Sequence, residues 1–305
     1  MKDKQVSRTA QFAAIYRAYH SINDNPKIFD DFLAASILEE GEMASFQQQM
    51  VATMKSYNPQ LAASFPNEAS IVAFMMQSMA ATPQILSRAR YGEDRLEEAV
   101  NQGIKQYVIL GAGLDTFAFR RPDLLDKIEV FELDHPSTQE YKQKRIKELK
   151  WELRKQLHFI PIDFNREHLA AKLTDSSYDP TALAFFSWLG VTYYLPRDVV
   201  LAVLRSITVL APKDSVVVFD YLDTDAFNPE KAAQRVQMLL WLANQEQESM
   251  QAGFDHSDLA GDLFRAGLHL KEDLGPADIQ TRYFQNREDR YYACEHEHLA
   301  YTVID

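Results

Sequence analysis

From Gln106 to Asp220 the chain alternates short β-branched and aromatic runs with amphipathic stretches of helical period, and this alternation constrains the fold more than any other feature. Parallel strands need a long crossover, usually a helix, so strand–helix–strand repetition predicts an α/β fold: a parallel sheet with helices on both faces. The runs Tyr107–Gly111, Ile128–Leu133, His158–Pro161, Ala182–Ser187 and Ser215–Asp220 are the expected strands. Pro136, followed by Ser137-Thr138-Gln139-Glu140, reads as a capping box opening a helix through Tyr141, Ile146, Leu149 and Leu153. Val199–Leu210 is a second amphipathic helix, stopped at Pro212. Alternation in Arg290–Ile304 predicts a late strand, antiparallel at the sheet's edge or inserted into it.

Residues 1 to about 104 have a different texture, with apolar residues at helical spacing through Phe12, Ile15 and Tyr16, through Phe32, Ile37 and Leu38, and through Ile71, Phe74, Met75 and Met79. A helix over Asp94–Gln102 closes this half, with Gly103 at its left-handed stop. The expected organisation is a helical region over 1–104 and a sheet domain over 105–305. With 46% apolar and 25% charged residues the chain can bury a core, which excludes disordered and fibrous classes. A net charge of −12 opposes attraction to nucleic acid or anionic membranes. The single Cys294, a polar stretch from Met1 to Ala10 and the lack of an uninterrupted apolar span predict a cytoplasmic protein with no disulfide and no membrane segment.

The first expected strand runs into Gly111-Ala112-Gly113-Leu114-Asp115-Thr116, a turn at which the backbone can approach a ligand because Gly111 and Gly113 carry no Cβ. A lone Gly-x-Gly turn also serves purely structural ends. Asp134 ends the second strand 21 residues beyond Gly113, the separation at which a carboxylate accepts ribose hydroxyls; the competing role is a cap for the following helix. Asp163 and Phe164 follow the third strand. Three strand ends bearing Gly, Asp and Asp describe one crevice at the carboxyl edge of the sheet.

With Ser7-Arg8-Thr9-Ala10, Tyr16-Arg17-Ala18, Arg88-Ala89-Arg90-Tyr91, Phe131-Glu132-Leu133-Asp134-His135-Pro136, Ile162-Asp163-Phe164 and Gly190-Val191-Thr192-Tyr193-Tyr194-Leu195, the turn resembles the S-adenosylmethionine-dependent methyltransferases of the leucine carboxyl methyltransferase family. That family includes bacterial O-methyltransferases of secondary metabolism. The resemblance spans residues 7 to about 221. It implies a Rossmann-like class I methyltransferase sheet under an N-terminal helical lid, S-adenosyl-L-methionine as cofactor, and methyl transfer to an oxygen, carboxylate or hydroxyl, of a small-molecule acceptor. It further implies that Gly111 lines the methionine part of the cofactor, Asp134 holds the ribose, Asp163 and Phe164 contact the adenine, and Arg90 or Arg88 pairs with the cofactor carboxylate. Many relatives carry Glu where this chain has Leu189, so the contact attributed to that Glu is not carried over. Arg17, Tyr193, Tyr194 and Tyr221 are the substrate-side candidates. A hydroxyl acceptor would need a base, for which His135 and His20 are the candidates; a carboxylate would need none.

Two other functions fit parts of the pattern. An NAD(P)-dependent oxidoreductase also has a glycine turn followed by an acid, but Thr116 stands at the third fingerprint glycine and about a hundred helical residues precede the first strand. A catalytically silent binding protein shares the fold. Cys294, His296 and His298 alternate along the late strand without a fourth ligand, so no metal is expected. The seven bases of Lys142–Lys155 interleave with Glu148 and Glu152 and read as a solvated helix face. The nine acids between Asp220 and Asp262 read as acidic surface, and Met75, Met76 and Met79 as core or as an adaptable wall for an apolar acceptor.

Overall fold

Strands buried on both faces read as continuous apolar runs, and Gln106–Leu110 (β1) is buried at every position. The computed structural model describes residues 6–164 and 166–305; the first five residues of the polar Met1–Ala10 stretch lie outside them. The other strands are Glu129–Asp134 (β2), Leu157–Pro161 (β3), Ala184–Trp188 (β4), Val216–Leu222 (β5), Leu268–Leu274 (β6) and Glu297–Ile304 (β7). They form one sheet in the order β3-β2-β1-β4-β5-β7-β6. The first five are parallel, and β7 is inserted antiparallel between β5 and β6. The chain reverses its direction of winding between β1 and β4, and the crevice over their carboxyl ends is where open α/β sheets bind ligands.

Among the described residues six helices precede β1: Arg8–Asn23 (α1), Ala34–Ile37 (α2), Glu42–Tyr57 (α3), Pro59–Ser64 (α4), Glu68–Ser78 (α5) and Ala81–Asn101 (α6). The last starts well before the expected Asp94 and ends ahead of Gly103, whose φ is +108°. After β1 come Phe117–Arg120 (α7), Pro122–Leu125 (α8), Pro136–Glu148 (α9), Leu169–Thr174 (α10), Arg197–Leu210 (α11), Gln234–Gln245 (α12), His256–Arg265 (α13) and Pro276–Ile279 (α14). The expected capping box of α9 is not formed by Ser137. Pro136 is the first helical residue, and the cap is His135, whose ring accepts from the Ser137 amide at 3.4 Å. The helix stops at Glu148, short of Leu153.

Alternate residues of the strands feed two cores. Val108, Leu110, Phe131, Leu133 and Phe186 pack with Val200, Val203, Leu204 and Ile207 of α11 on one face. On the other, Tyr107, Ile109, Val130 and Phe185 meet Leu96, Ala99 and Val100 of α6. A third core, with Tyr16, Met50, Val51, Ile71, Val72, Met76 and Ile85, holds the leading helices together. The basic α9 is not solvated throughout: Lys142 is buried and pairs with Glu132 at 2.5 Å. Strand β6 is missing from the sequence reading because Leu268–Leu274 carries charges at three successive positions, Lys271, Glu272 and Asp273, and a register shift at its edge position. Among the described residues no single helix is long and apolar enough to cross a membrane.

Candidate cofactor and acceptor site

Where β1 ends, Gly111 (φ +78°) and Gly113 (φ +51°) carry the chain through left-handed backbone that L side chains rarely adopt. A Cβ on Gly111 would lie 2.4 Å from Val191 Cγ2, so the turn also packs too closely for alanine. The Gly113 amide donates to Asp134 Oδ2 at 2.5 Å and the His135 amide to Oδ1 at 2.6 Å. Asp134 therefore braces the glycine turn from the end of β2 and does not cap α9. Burial raises its pKa, and the two amides pull against that rise.

Above the turn lies a cavity of about 1350 Å³ walled by α1, α3, α5, α6 and α12. On a helix, residues two apart point about 200° from one another, and the two candidate arginines of α6 part accordingly. Arg88 enters the cavity wall, donating through Nη1 to the Tyr193 hydroxyl at 2.6 Å and pairing with the buried Asp220 at 3.3 Å. Arg90 points away and pairs with Asp94 on the half-exposed far face. Arg88 is thus the cavity arginine and Arg90 is not. Gly190 makes room for it, since a Cβ there would sit 2.5 Å from Nη2.

Around the turn the wall is charged. Arg17 donates to the Leu114 carbonyl at 2.8 Å and pairs with Asp31 at 2.9 Å. Arg120 bridges Glu93 and Asp31, and the Thr116 hydroxyl donates to Asp31 at 2.6 Å. Burial raises the Glu93 carboxyl against the pull of Arg120. Asp115 also lines the cavity and accepts from the Phe117 amide at 2.6 Å. Sequence reading passed over Asp31, Glu93 and Arg120; only Glu93, four residues after Ala89 on a helix whose phase Arg88 sets, left a local signal.

Tyr193 and Tyr194, in a helical turn after β4, both line the cavity, with rings 4.9 Å apart. Tyr221 does not. Strand residues alternate between faces, so Asp220 meets Arg88 while Tyr221 enters the opposite core, stacks on His298 at 4.8 Å and donates to Asp273 at 2.9 Å. Its placement on the substrate side is corrected to a structural one. Asp134, Asp163 and Phe164 lie outside the cavity wall. On that side the Ser7 amide donates to Thr138 at 3.3 Å and Ala10 packs 3.2 Å from the position of a Gly113 Cβ. Phe164 packs toward Trp188, with ring centroids 6.3 Å apart. Both candidate bases are outside the cavity too: His20 engages Asp24 and the Ile28 amide, and His135 engages Ser137. Leu189 lines the cavity and fits because residue 92 is glycine, where a Cβ would lie 2.7 Å from it. His296 and His298 are taken up by Asp223 and Asp273, and Cys294 is a buried free thiol.

Residues 10–208 match the family model for leucine carboxyl methyltransferase. YktD of Bacillus subtilis, provisionally described as an S-adenosyl-L-methionine-dependent methyltransferase, is 35% identical over 303 residues, 99% of each chain. A Mycobacterium ulcerans protein of the same description is 28% identical over 278 residues, 91% of this chain and 80% of that one. Among solved structures, a DUF574 family protein from Streptomyces avermitilis covers 99% of both chains with a TM-score of 0.58 at 12% identity. A methyltransferase, so described provisionally, from Thermobifida fusca matches 79% of this chain and 89% of its own, with a TM-score of 0.56 at 11% identity. These two likenesses speak for the fold alone. The full-length relationship and the family match set aside the oxidoreductase reading: the chain belongs to the leucine carboxyl methyltransferase family and is an S-adenosyl-L-methionine-dependent methyltransferase.

Proposed function

We propose that this enzyme methylates a carboxylate oxygen of a small-molecule acceptor held in the cavity above the glycine turn. The observation that carries the reading is the composition of the wall. Four arginines, Arg8, Arg17, Arg88 and Arg120, line it beside four carboxylates, Asp31, Glu93, Asp115 and Glu246, and among the described residues no histidine, lysine or cysteine does. An acceptor that arrives already anionic needs no base of near-neutral pKa, whereas a phenol or alcohol does. The volume also supports two occupants, because single-ligand pockets run to about 1,000 Å³ at most.

The wall fits the cofactor chemically. The Arg88 side chain is only 13% exposed, and among the described residues its Nη2 has no hydrogen-bond partner, so it suits a carboxylate. Asp115 and Glu93 are carboxylates for an ammonium group. Gly111 and Gly113 let the backbone come close; Asp134 would take the ribose, and Asp163 and Phe164 the adenine, beyond the cavity wall and past the contacts that Ser7 and Ala10 make with Thr138 and Gly113. When bound, S-adenosylmethionine supplies an electrophilic methyl group on a sulfonium. The protein's part is to align an oxygen with it and to keep water out. Arg17, Tyr193 and Tyr194 would orient the acceptor, and residues 1 to about 104 would act as the lid. Charge is lost as an anion and a sulfonium approach, which a dry wall favours. A buried free thiol at Cys294 suits a reducing cytoplasm.

The test is to incubate the enzyme with methyl-labelled S-adenosylmethionine and matched panels of carboxylic acids and phenols, then treat the products with mild alkali. Label released as methanol from carboxylic acid products is the expected result. Alkali-stable label confined to phenols overturns the carboxylate assignment.

A further inference from the structure

Beyond its charged inner end the cavity wall is mostly apolar, with Gln49 and Thr53 of α3 and Gln234, Gln237 and Gln245 of α12 interspersed in it. On α3 the lining residues Phe46, Met50, Met54 and Tyr57 fall three or four apart, one stripe over eleven residues, or about 16 Å at the helical rise. On α12 the residues Gln234, Met238, Trp241 and Gln245 repeat the same spacing. Six of the nine methionines line the cavity, namely Met50, Met54, Met75, Met79, Met238 and Met250; unbranched thioethers fit a flexible guest better than a rigid one. Away from the turn, the charged side chains in the wall are Arg8 and Glu246, which lie 3.6 Å apart and answer each other. At the solvent end Tyr57, Trp241 and Met238 line the passage yet are 83%, 51% and 55% exposed. Large apolar side chains exposed together at a pocket mouth mark a surface that a ligand covers.

We infer that the acceptor is a long-chain aliphatic carboxylic acid, its carboxylate at the arginine end by the glycine turn and its chain running between α3 and α12 to the Tyr57–Trp241 mouth. This rests on the carboxylate reading above. A short acid would leave the apolar stripe wet, and a rigid fused-ring acid would have no use for six adaptable methionines. The chain would also complete the closure of the site, since it fills the passage through which water reaches the turn.

The experiment uses the full chain saturated with S-adenosylhomocysteine and titrates butanoic, octanoic, dodecanoic and hexadecanoic acids by calorimetry, with naphthoic acid as the rigid comparison. Affinity should rise about fourfold per methylene, the value for burying a CH₂ group, and level off once the chain reaches the mouth. Met54→Gln should cost dodecanoic acid about tenfold and butanoic acid less than twofold. Should that variant fail to fold, the half-exposed Trp241→Ala gives the same comparison near the mouth. Affinity independent of chain length, or naphthoic acid binding more tightly than dodecanoic acid, overturns the inference. The two readings fail separately. Tight dodecanoic acid binding without any labelled methyl ester refutes carboxylate methylation alone, and methyl esters formed on short acids with no chain-length dependence refute the aliphatic acceptor alone.

Discussion

Replacing Arg88 by lysine keeps the charge and removes the fork. In the wild-type site Nη1 serves Tyr193 at 2.6 Å and Asp220 at 3.3 Å, and Nη2 faces the cavity beside Gly190. A single ammonium cannot reach the tyrosine, the buried carboxylate and a ligand carboxylate together. Buried and without a competing cation, Asp220 retains the lysine, so the ligand loses a charge-assisted hydrogen bond of about 1.5–3 kcal/mol, and affinity for S-adenosylmethionine should fall about 10- to 150-fold. Arg90→Lys is the internal control. Its pairing with Asp94 is an exposed i,i+4 contact worth about 0.3–0.5 kcal/mol, so cofactor affinity should stay within twofold. Calorimetry on both variants, with circular dichroism to show an intact fold, decides the matter. Loss of affinity in Arg90→Lys with normal binding in Arg88→Lys would refute the assignment drawn from the helix phase.

Three further outcomes are expected. Asp134→Ala should weaken cofactor binding by about 1–3 kcal/mol, because it removes the proposed ribose acceptor and the brace on the Gly113 amide; unchanged affinity by titration would leave Asp134 with the structural role only. Glu248 accepts from the Ser7 hydroxyl at 3.1 Å and from the Arg8 and Thr9 amides at 3.2 and 3.4 Å, tying the start of α1 to the loop after α12. Glu248→Gln should loosen this tie by about 1–2 kcal/mol, read as a 5- to 30-fold faster amide hydrogen exchange in the first turn of α1, with α6 unaffected. Burial alone would depress His298, but Asp223 and Asp273 outweigh it and push it up to about 9. A raised histidine contributes stability below the unfolded value near 6.5 that is lost as pH rises toward 9. The contacts, 3.4 Å to Asp273 and 3.8 Å to Asp223, are long, so about 1–2 kcal/mol should disappear between those pH values in wild type. Thermal melts of His298→Gln should be flat over the same window, and a matching slope in that variant would exclude His298 as its source.

The sheet was legible because its signals are local. Val108, Ile109 and Leu110 are apolar on both faces whatever follows them, and a parallel strand is the element that demands it. The Gly111–Gly113 turn was legible because positive φ needs glycine within two residues of the strand end. Strand β7 was legible as alternation, although its insertion beside β5 was one of two placements left open, since pairing partners are set by contacts between Val216–Leu222 and Glu297–Ile304 that no local pattern encodes. Strand β6 was not legible: an edge strand with one wet side carries Lys271, Glu272 and Asp273, which in isolation read as loop.

The amino-acid sequence by itself determined the α/β alternation, the glycine turn and the acids after β2 and β3, because each depends on periodicity or backbone freedom over a few residues; the cofactor was implied only by the resemblance that these motifs carry. Tertiary structure alone decided which arginine faces the cavity, since the closing helix begins at Ala81 and not at the expected Asp94, and only its phase against the core separates Arg88 from Arg90. It also decided that Asp220 and not Tyr221 serves the site, through a pairing with Arg88 that spans 132 residues. The Glu248 tie to the start of α1 closes a loop of 240 residues at the Arg8 amide, and the cavity wall draws on both α3 and α12, which lie far apart in the chain. Contacts of that range are selected by the packing of the whole core, which sets the phase of each helix.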